Sequence, residues 1–500
     1  MKIRFTYFVK RRLVTVFLPL GWLCGMMICP ALAHSNAYSN ANTDSNAALT
    51  LRETLALALE NDPWLSNSRY QEQALLAQGE AANALPDPVL SAGMVNLPTD
   101  SLDFRQENMT QLKVGLTQQF PRGSSLRLRQ ARLQLQAGQQ PLQRQLRQAQ
   151  LTEQISQMWY QFSGDNTLLQ HLQTDRDLFE QLIQIAETRY SNALQHTNQN
   201  AILRAELELA RLDNQISAYQ QQRDGTMATL AQWLGSRGDI WLSQMQQSQM
   251  HQSQIKSPQI QSSQIQAPQI TPESISPPLL PIIDDLPGSF TAMMQRANFA
   301  TLAPLLAAHP ELRHAQQKQR VSEVNIDLAQ QHSQPQWGVS ASYAYRADPS
   351  ESRHDRADFV SLGVSVAVPL WNTEKNQYHL TAAKLQAQAV ITEHRLLQQQ
   401  LLADLLRVVK EDQHLQQQTQ RYEQTILPKL QQYTQATIAA FSNENANFEA
   451  VIRARIELRN AKLALTELHI TRHKLRAKLH YLLTGSDFSV TSSAAALSSQ

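Results

Sequence analysis

The stretch Asn61-Asp62-Pro63-Trp64-Leu65 returns as Ala308-His309-Pro310-Glu311-Leu312, with Pro310 standing 247 positions after Pro63. Working outward, Pro88 finds Pro335 at the same offset, and Gln119-Phe120-Pro121 finds Ala367-Val368-Pro369 at 248. Arg204-Ala205-Glu206-Leu207-Glu208-Leu209 pairs with Arg453-Ala454-Arg455-Ile456-Glu457-Leu458 at 249, and Leu234-Gly235-Ser236 with Thr484-Gly485-Ser486 at 250. Five landmarks in one order and at nearly one offset mark a duplication, so the two halves share a fold. The 500 residues therefore form one unit built twice rather than several unrelated domains.

Each half reads as helix, two strands, long helix, shorter helix. In the first half the spacing of Leu51, Leu55 and Leu59 predicts a helix from Leu49 to about Ala84, ended by Pro86-Asp87-Pro88. A long helix follows from about Leu126 to Tyr190 and a shorter one from about Asn198 to Leu234. At 1.5 Å per residue these are roughly 50, 95 and 55 Å long. The second half repeats them over about 300–333, 373–438 and 443–483, with Pro141 and Pro428 expected to kink the long helices. Helices of this length exceed globular norms and imply a coiled-coil-like assembly.

Four segments between the helices alternate with period two. Trp337, Val339, Ala341, Tyr343 and Tyr345 interleave with Gly338, Ser340, Ser342 and Ala344; Val360, Leu362, Val364, Val366 and Val368 interleave with Ser361, Gly363, Ser365 and Ala367. Leu112, Val114 and Leu116 alternate with Lys113, Gly115 and Thr117, and Val89–Leu97 is a weaker copy. The expected strands are about 89–97, 109–120, 336–346 and 358–369. Their length suits a transmembrane β-strand, with Trp337, Val339, Tyr343, Tyr345, Val360, Leu362, Val364 and Val366 facing lipid. An ordinary half-buried hairpin has the same alternation. Four strands cannot close by themselves, so strands that enter a membrane require a barrel shared among protomers.

Residues 1–33 read as a secretory signal: Lys2, Arg4, Lys10, Arg11 and Arg12 precede an apolar run, and Ala31-Leu32-Ala33 supplies the cleavage pattern. Both cysteines, Cys24 and Cys29, lie in that segment, so the mature chain is expected to lack disulfides and Cys-based metal sites. Overall there are 44 Lys+Arg against 42 Asp+Glu, but losing five bases turns the balance to 39 against 42. This excludes a strongly basic nucleic-acid binder. Charged residues are only 17%, so neutral polar residues carry the polarity. A flexible segment is expected over 34–48, the first repeat over 49–242, the second over 291–485 and a flexible tail over 486–500. Between the repeats, residues 243–290 place Gln before an apolar residue every five positions, from Gln244-Met245 to Gln269-Ile270. That period fits neither helix nor strand, and Pro258, Pro268, Pro272, Pro277 and Pro278 make an extended linker the better reading.

No phosphate-binding glycine loop, zinc-protease motif or nucleophile elbow occurs, and no cofactor or metal site is expected. His469 and His473 stand four apart on a helix, but Arg472, Lys474 and Arg476 oppose a bound cation there. Glu206 and Glu208 sit among Arg204 and Arg211, where ion pairing is expected. The chain reads as non-enzymatic.

Taken together, these features resemble the TolC-like outer-membrane efflux family. The resemblance is carried by the duplicated halves, by the opening Leu51-Arg52-Glu53-Thr54-Leu55-Ala56-Leu57-Ala58-Leu59-Glu60-Asn61-Asp62-Pro63, by Pro88-Val89-Leu90 and by Gln118-Gln119-Phe120-Pro121. It implies a mixed α+β membrane protein, mostly α. A long periplasmic helical barrel would join a twelve-stranded outer-membrane β-barrel closed by trimerisation. It further implies a passive conduit as a homotrimer, with a periplasmic adaptor and an inner-membrane pump as partners, outer-membrane lipid around the strands and no nucleic acid. Drug efflux and type I protein secretion are alternative duties for the same channel, and a periplasmic scaffold without a barrel is the alternative class. The segment from Asn96 to Ser101, through Pro121-Arg122-Gly123, resembles a subgroup serving heavy-metal pumps of the resistance-nodulation-division type. By the same resemblance the adaptor-contacting tips fall near Tyr190, Ala193, Leu194 and Thr197 in the first half, and at Ala440, Phe441 and Ser442 in the second. Glu449, with Glu444, falls where a periplasmic gate would stand; pairing of Glu449 with Arg453 is the competing reading.

Overall fold

The computed structural model of the chain describes residues 50–191, 199–243, 299–348, 356–371, 373–442 and 448–486. The signal segment, the 34–48 segment, the linker beyond Ser243 and the tail beyond Ser486 lie outside the described residues.

The chain opens on α1 (Leu51–Glu60), closed at its start by a reciprocal cap: Glu53 N–H donates to the Thr50 hydroxyl and Thr50 N–H to the Glu53 carboxylate. Asn61-Asp62-Pro63 then breaks what the apolar spacing alone reads as one continuous helix. Asp62 is extended and accepts the Trp64 N–H at 3.1 Å, while Pro63, which has no N–H to leave unpaired, starts α2 (Pro63–Asn83). The equivalent break divides α6 (Phe299–Leu306) from α7 (Pro310–Gln331), where the His309 ring accepts the Glu311 N–H at 3.3 Å. The repeated signature is thus a helix restart.

After α2 come β1 (Val89–Val95) and β2 (Gln111–Phe120), then α3 (Ser125–Ala137), α4 (Gln139–Ser191) and α5 (Gln199–Leu234). The interruption in the long helix falls at Gly138, not at the expected Pro141. Pro141 lies in the first turn of α4, where its missing N–H costs nothing. The second half places β3 (Gln336–Tyr345) and β4 (Phe359–Ala367) after α7, followed by α8 (Thr373–Arg421), α9 (Leu427–Ser442) and α10 (Phe448–Leu482). A five-residue π-helical turn, Tyr422–Ile426, joins α8 to α9 just ahead of Pro428. The wider turn accommodates the ring and the absent donor without ending the helix.

The core is a file of apolar clusters strung along the helices. At one end Leu302, Leu306 and Leu312 meet Leu405, Val408 and Leu482. Midway Leu168 and Leu172 of α4 pack on Leu212 of α5 and Leu463 of α10. At the far end Phe179, Ile183, Phe448 and Val451 close the bundle. Among the described residues no helix is long and apolar enough to cross a membrane.

The repeat also fixes the end of each last helix. Gly235 and Gly485 both have positive φ, 59° and 86°. A Cβ on Gly485 would lie 2.5 Å from the carbonyl oxygen of Ala308, whereas one on Gly235 meets only the Asn61 side chain, at 3.1 Å. Gly485→Val is therefore expected to destabilise the protein by about 2–4 kcal/mol, from the left-handed backbone and the overpacking together. Gly235→Ala should cost only about 1 kcal/mol, since a side chain can move aside. Thermal unfolding in detergent measures both.

Candidate functional site

The four strands form one antiparallel sheet in the order β1-β2-β3-β4. Its central seam joins the two halves, with Leu112 opposite Tyr345, Val114 opposite Tyr343 and Phe120 opposite Trp337. The register stacks like with like. One face carries Leu90, Met94, Leu112, Val114 and Leu116, then Trp337, Val339, Tyr343 and Tyr345, then Val360, Leu362, Val364 and Val366, every one exposed. Leu362 is 81% and Val360 73% exposed in the single protomer. The opposite face is built of Ser91, Gly93, Gly115, Gly338, Ser340, Ser342, Ser361, Gly363 and Ser365, with Lys113 among them. An apolar face this large left to water would be costly. Trp337 and Tyr345 stand at the two ends of the apolar band, eight residues apart, or about 26 Å along an extended strand, close to the height of an outer-membrane hydrocarbon layer. Strands β1 and β4 each leave one edge unpaired.

At the other extreme of the molecule α4 ends at Ser191 and α5 begins at Gln199; α9 ends at Ser442 and α10 begins at Phe448. Ala193, Leu194, Thr197 and Glu444 lie outside the described residues, as does the side chain of Ser442. Ala440 is half-buried near the end of α9. Phe441, expected among the adaptor contacts, is turned inward: it is 5% exposed and its ring lies 5.9 Å from that of Phe448. The two phenylalanines seal the end of the bundle.

Glu449 sits in the first turn of α10, where the helix dipole favours a carboxylate. Its Oε1 accepts from Arg453 at 3.2 Å, one turn on, and from Arg204 of α5. The pairing within α10 was foreseeable from the i, i+4 spacing. Arg204 was not, although it is the repeat equivalent of Arg453. One carboxylate thus holds two repeat-related guanidiniums and ties the first half to the second.

Farther along the bundle, ionisable groups are buried between α4, α5 and α10. Glu208 accepts from Arg459 at 2.9 Å and from Arg211 at 3.3 Å. Arg459, at 4% exposure, also lies 5.9 Å over the Phe179 ring. Asp165 is fully buried; its Oδ1 accepts from Gln161 at 2.6 Å and Gln222 at 3.1 Å, while Oδ2 has no partner. Burial pushes its carboxyl up to about 6, against the opposing pull of these amides and of Lys474. Burial likewise raises Asp175 and lowers His171 and Lys474. His469 contacts Glu423 at 3.2 Å, whereas the His473 ring stacks on Tyr160 at 4.9 Å. The two histidines thus face different partners, and among the described residues no group of three or more His, Cys, Asp or Glu side chains could hold a metal ion.

Residues 302–485 match the family model described as outer membrane efflux protein. That stretch, most of the second repeat, is therefore similar to the outer membrane efflux proteins. Solved structures agree on the fold over both halves. The outer membrane protein VceC of Vibrio cholerae aligns with a TM-score of 0.64 at 15% identity, covering 87% of this chain and 96% of its own. CusC gives a TM-score of 0.65 at 17% identity, covering 87% and 92%. The open-state MtrE outer membrane channel of Neisseria gonorrhoeae gives 0.63 at 15%, covering 87% and 89%. No curated protein matches the chain by sequence.

Proposed function

We propose that this chain is an outer-membrane efflux protein, a passive, trimeric conduit of a tripartite system with its sheet in the outer membrane and its long helices in the periplasm, receiving solutes from an inner-membrane pump through a periplasmic adaptor. The observation that carries this is the four-stranded sheet with an exposed apolar face, a small polar opposite face and two open edges. Backbone groups at an edge cannot remain unpaired in hydrocarbon, and three copies supply the twelve strands that close the ring. The apolar face then meets lipid and the serine-glycine face lines water. Energy comes from the pump; the conduit itself catalyses nothing.

At the periplasmic end, the Arg204–Glu449–Arg453 cluster holds α5 against α10 in the closed tip. Exposed ion pairs are individually weak, about 0.5 kcal/mol each. Glu449→Ala removes two pairs per protomer and leaves two guanidiniums facing one another. It should increase the open fraction of single channels about three- to tenfold. Metal cations as cargo are supported by the resemblance of the 96–123 segment to the heavy-metal subgroup; the charge of the sheet supports other cargo.

The test is outer-membrane fractionation with heat-modifiable migration on gels, followed by planar-bilayer recording of the purified protein. A stable trimer with discrete conductance steps is expected. A freely soluble mature chain without conductance would defeat the conduit and favour a periplasmic scaffold.

A further inference from the structure

Among the described residues the four strands contain a single charged side chain, that of Lys113. It lies on the serine-glycine face, opposite Gly93 on one neighbouring strand and Ala344 on the other. Gly115 stands two residues along, and the space above Gly93 is open, so nothing on this small-residue floor covers the ammonium. No hydrogen bond or ion pair engages it among the described residues. It is two residues in from Gln111, at the end where the 96–110 loop and the β3–β4 connection leave the sheet.

Most of the other described charges at that end have hydrogen-bond partners, the side chains of Arg105 and Glu107 excepted. Arg346 stacks over Phe359 at 3.9 Å and donates to the Ala357 carbonyl; Arg356 donates to Asn108 and to the Ala347 carbonyl. Asp358 accepts from Tyr343 and from the Arg346 N–H, Asp348 from the Arg356 N–H, Asp103 from the Arg105 N–H and Asp100 from Gln106. These carboxylates belong to the loops beyond the strands, where bulk salt screens them within about 8–10 Å. A charge inside a tube walled by hydrocarbon acts on every permeating ion, because the low-dielectric wall confines its field.

We infer that Lys113 gives the membrane-spanning part of the conduit a preference for anionic over cationic solutes. The inference rests on the trimeric conduit proposed above, in which three copies of Lys113 face one lumen. At the periplasmic tip Glu449 is paired with both Arg204 and Arg453. The cargo class favoured is anionic or neutral solutes rather than free metal cations.

Reversal potentials of the full-length mature protein in a tenfold KCl gradient test this. Lys113→Gln should lower the chloride-to-potassium permeability ratio about threefold, Lys113→Glu further still, and Lys113→Arg should leave it unchanged. Trimer migration on gels confirms that each variant assembles. If wild type, Lys113→Gln and Lys113→Glu form channels of equal selectivity, the inference is overturned with the conduit intact. If the wild-type protein forms no channel, the conduit reading falls and takes the inference with it.

Discussion

Arg459→Met is expected to destabilise the helical bundle by about 3–5 kcal/mol, the cost of leaving a buried carboxylate without its partner. Arg459 reaches from α10 to Glu208 on α5 and lies against the Phe179 ring of α4, so three helices meet on one guanidinium. In its absence Glu208 retains only the exposed Arg211, a pair worth little. Glu208→Leu alone should also destabilise, because Arg459 then stays charged in the interior. The double variant Glu208→Leu with Arg459→Met should recover most of the loss, since neither charge remains to be desolvated. Urea unfolding of the four proteins in detergent measures the cycle; additive losses would show that the two side chains are not coupled.

Asp165→Asn should have the opposite sign. Burial holds this carboxyl protonated up to about 6 in the folded protein, whereas in the unfolded chain it ionises near the ordinary aspartate value of 3.8. The stability that the neutral acid provides is therefore complete below about 3.8 and lost as pH rises through 6. Above that, the native state carries a buried, half-satisfied anion. Asparagine keeps the oxygen that accepts from Gln161 and Gln222 and removes the charge. At pH 8 the variant should be more stable than wild type by about 2–3 kcal/mol, with roughly half of that gain left at pH 5 and almost none at pH 3.5. Unfolding midpoints across that range decide it. A gain independent of pH would mean that Asp165 does not change its protonation on folding.

Much of this architecture is legible in the sequence because its signals are local. The alternation of Val360, Leu362, Val364 and Val366 with serine and glycine needs only a period of two, and the duplication needs only landmarks in order. The helix breaks at Asp62-Pro63 and His309-Pro310 were visible as residues but read as continuous helix, because the apolar spacing runs across them. The displacement of the first long helix's break from Pro141 to Gly138 has the same origin: a proline is harmless in a first turn, and only the start of the helix says where that turn is. The polar partners were the least accessible. Arg204 with Glu449 and Arg459 with Glu208 are 245 and 251 residues apart, and their meeting depends on how α5 and α10 are rotated against each other. Lys113 was plain in the alternation, yet its place as the one charge of the four described strands, opposite Gly93 and Ala344, emerges only from the register.

The seam between β2 and β3 sets the order of events in biogenesis. Phe120 finds Trp337 across 217 residues of chain, so neither hairpin gains its neighbour until both repeats have been made. Each helix and each hairpin forms on contacts near in sequence, whereas the β2–β3 seam, like the packing of α4 on α10, carries the slow, long-range loop closure. Through that interval the leucines, valines and aromatic rings destined for lipid travel unpaired through water, beside bare strand edges. The newly made chain should therefore be most prone to aggregation after its helices have formed and before its hairpins meet, and this is the stage at which a holding chaperone would matter most.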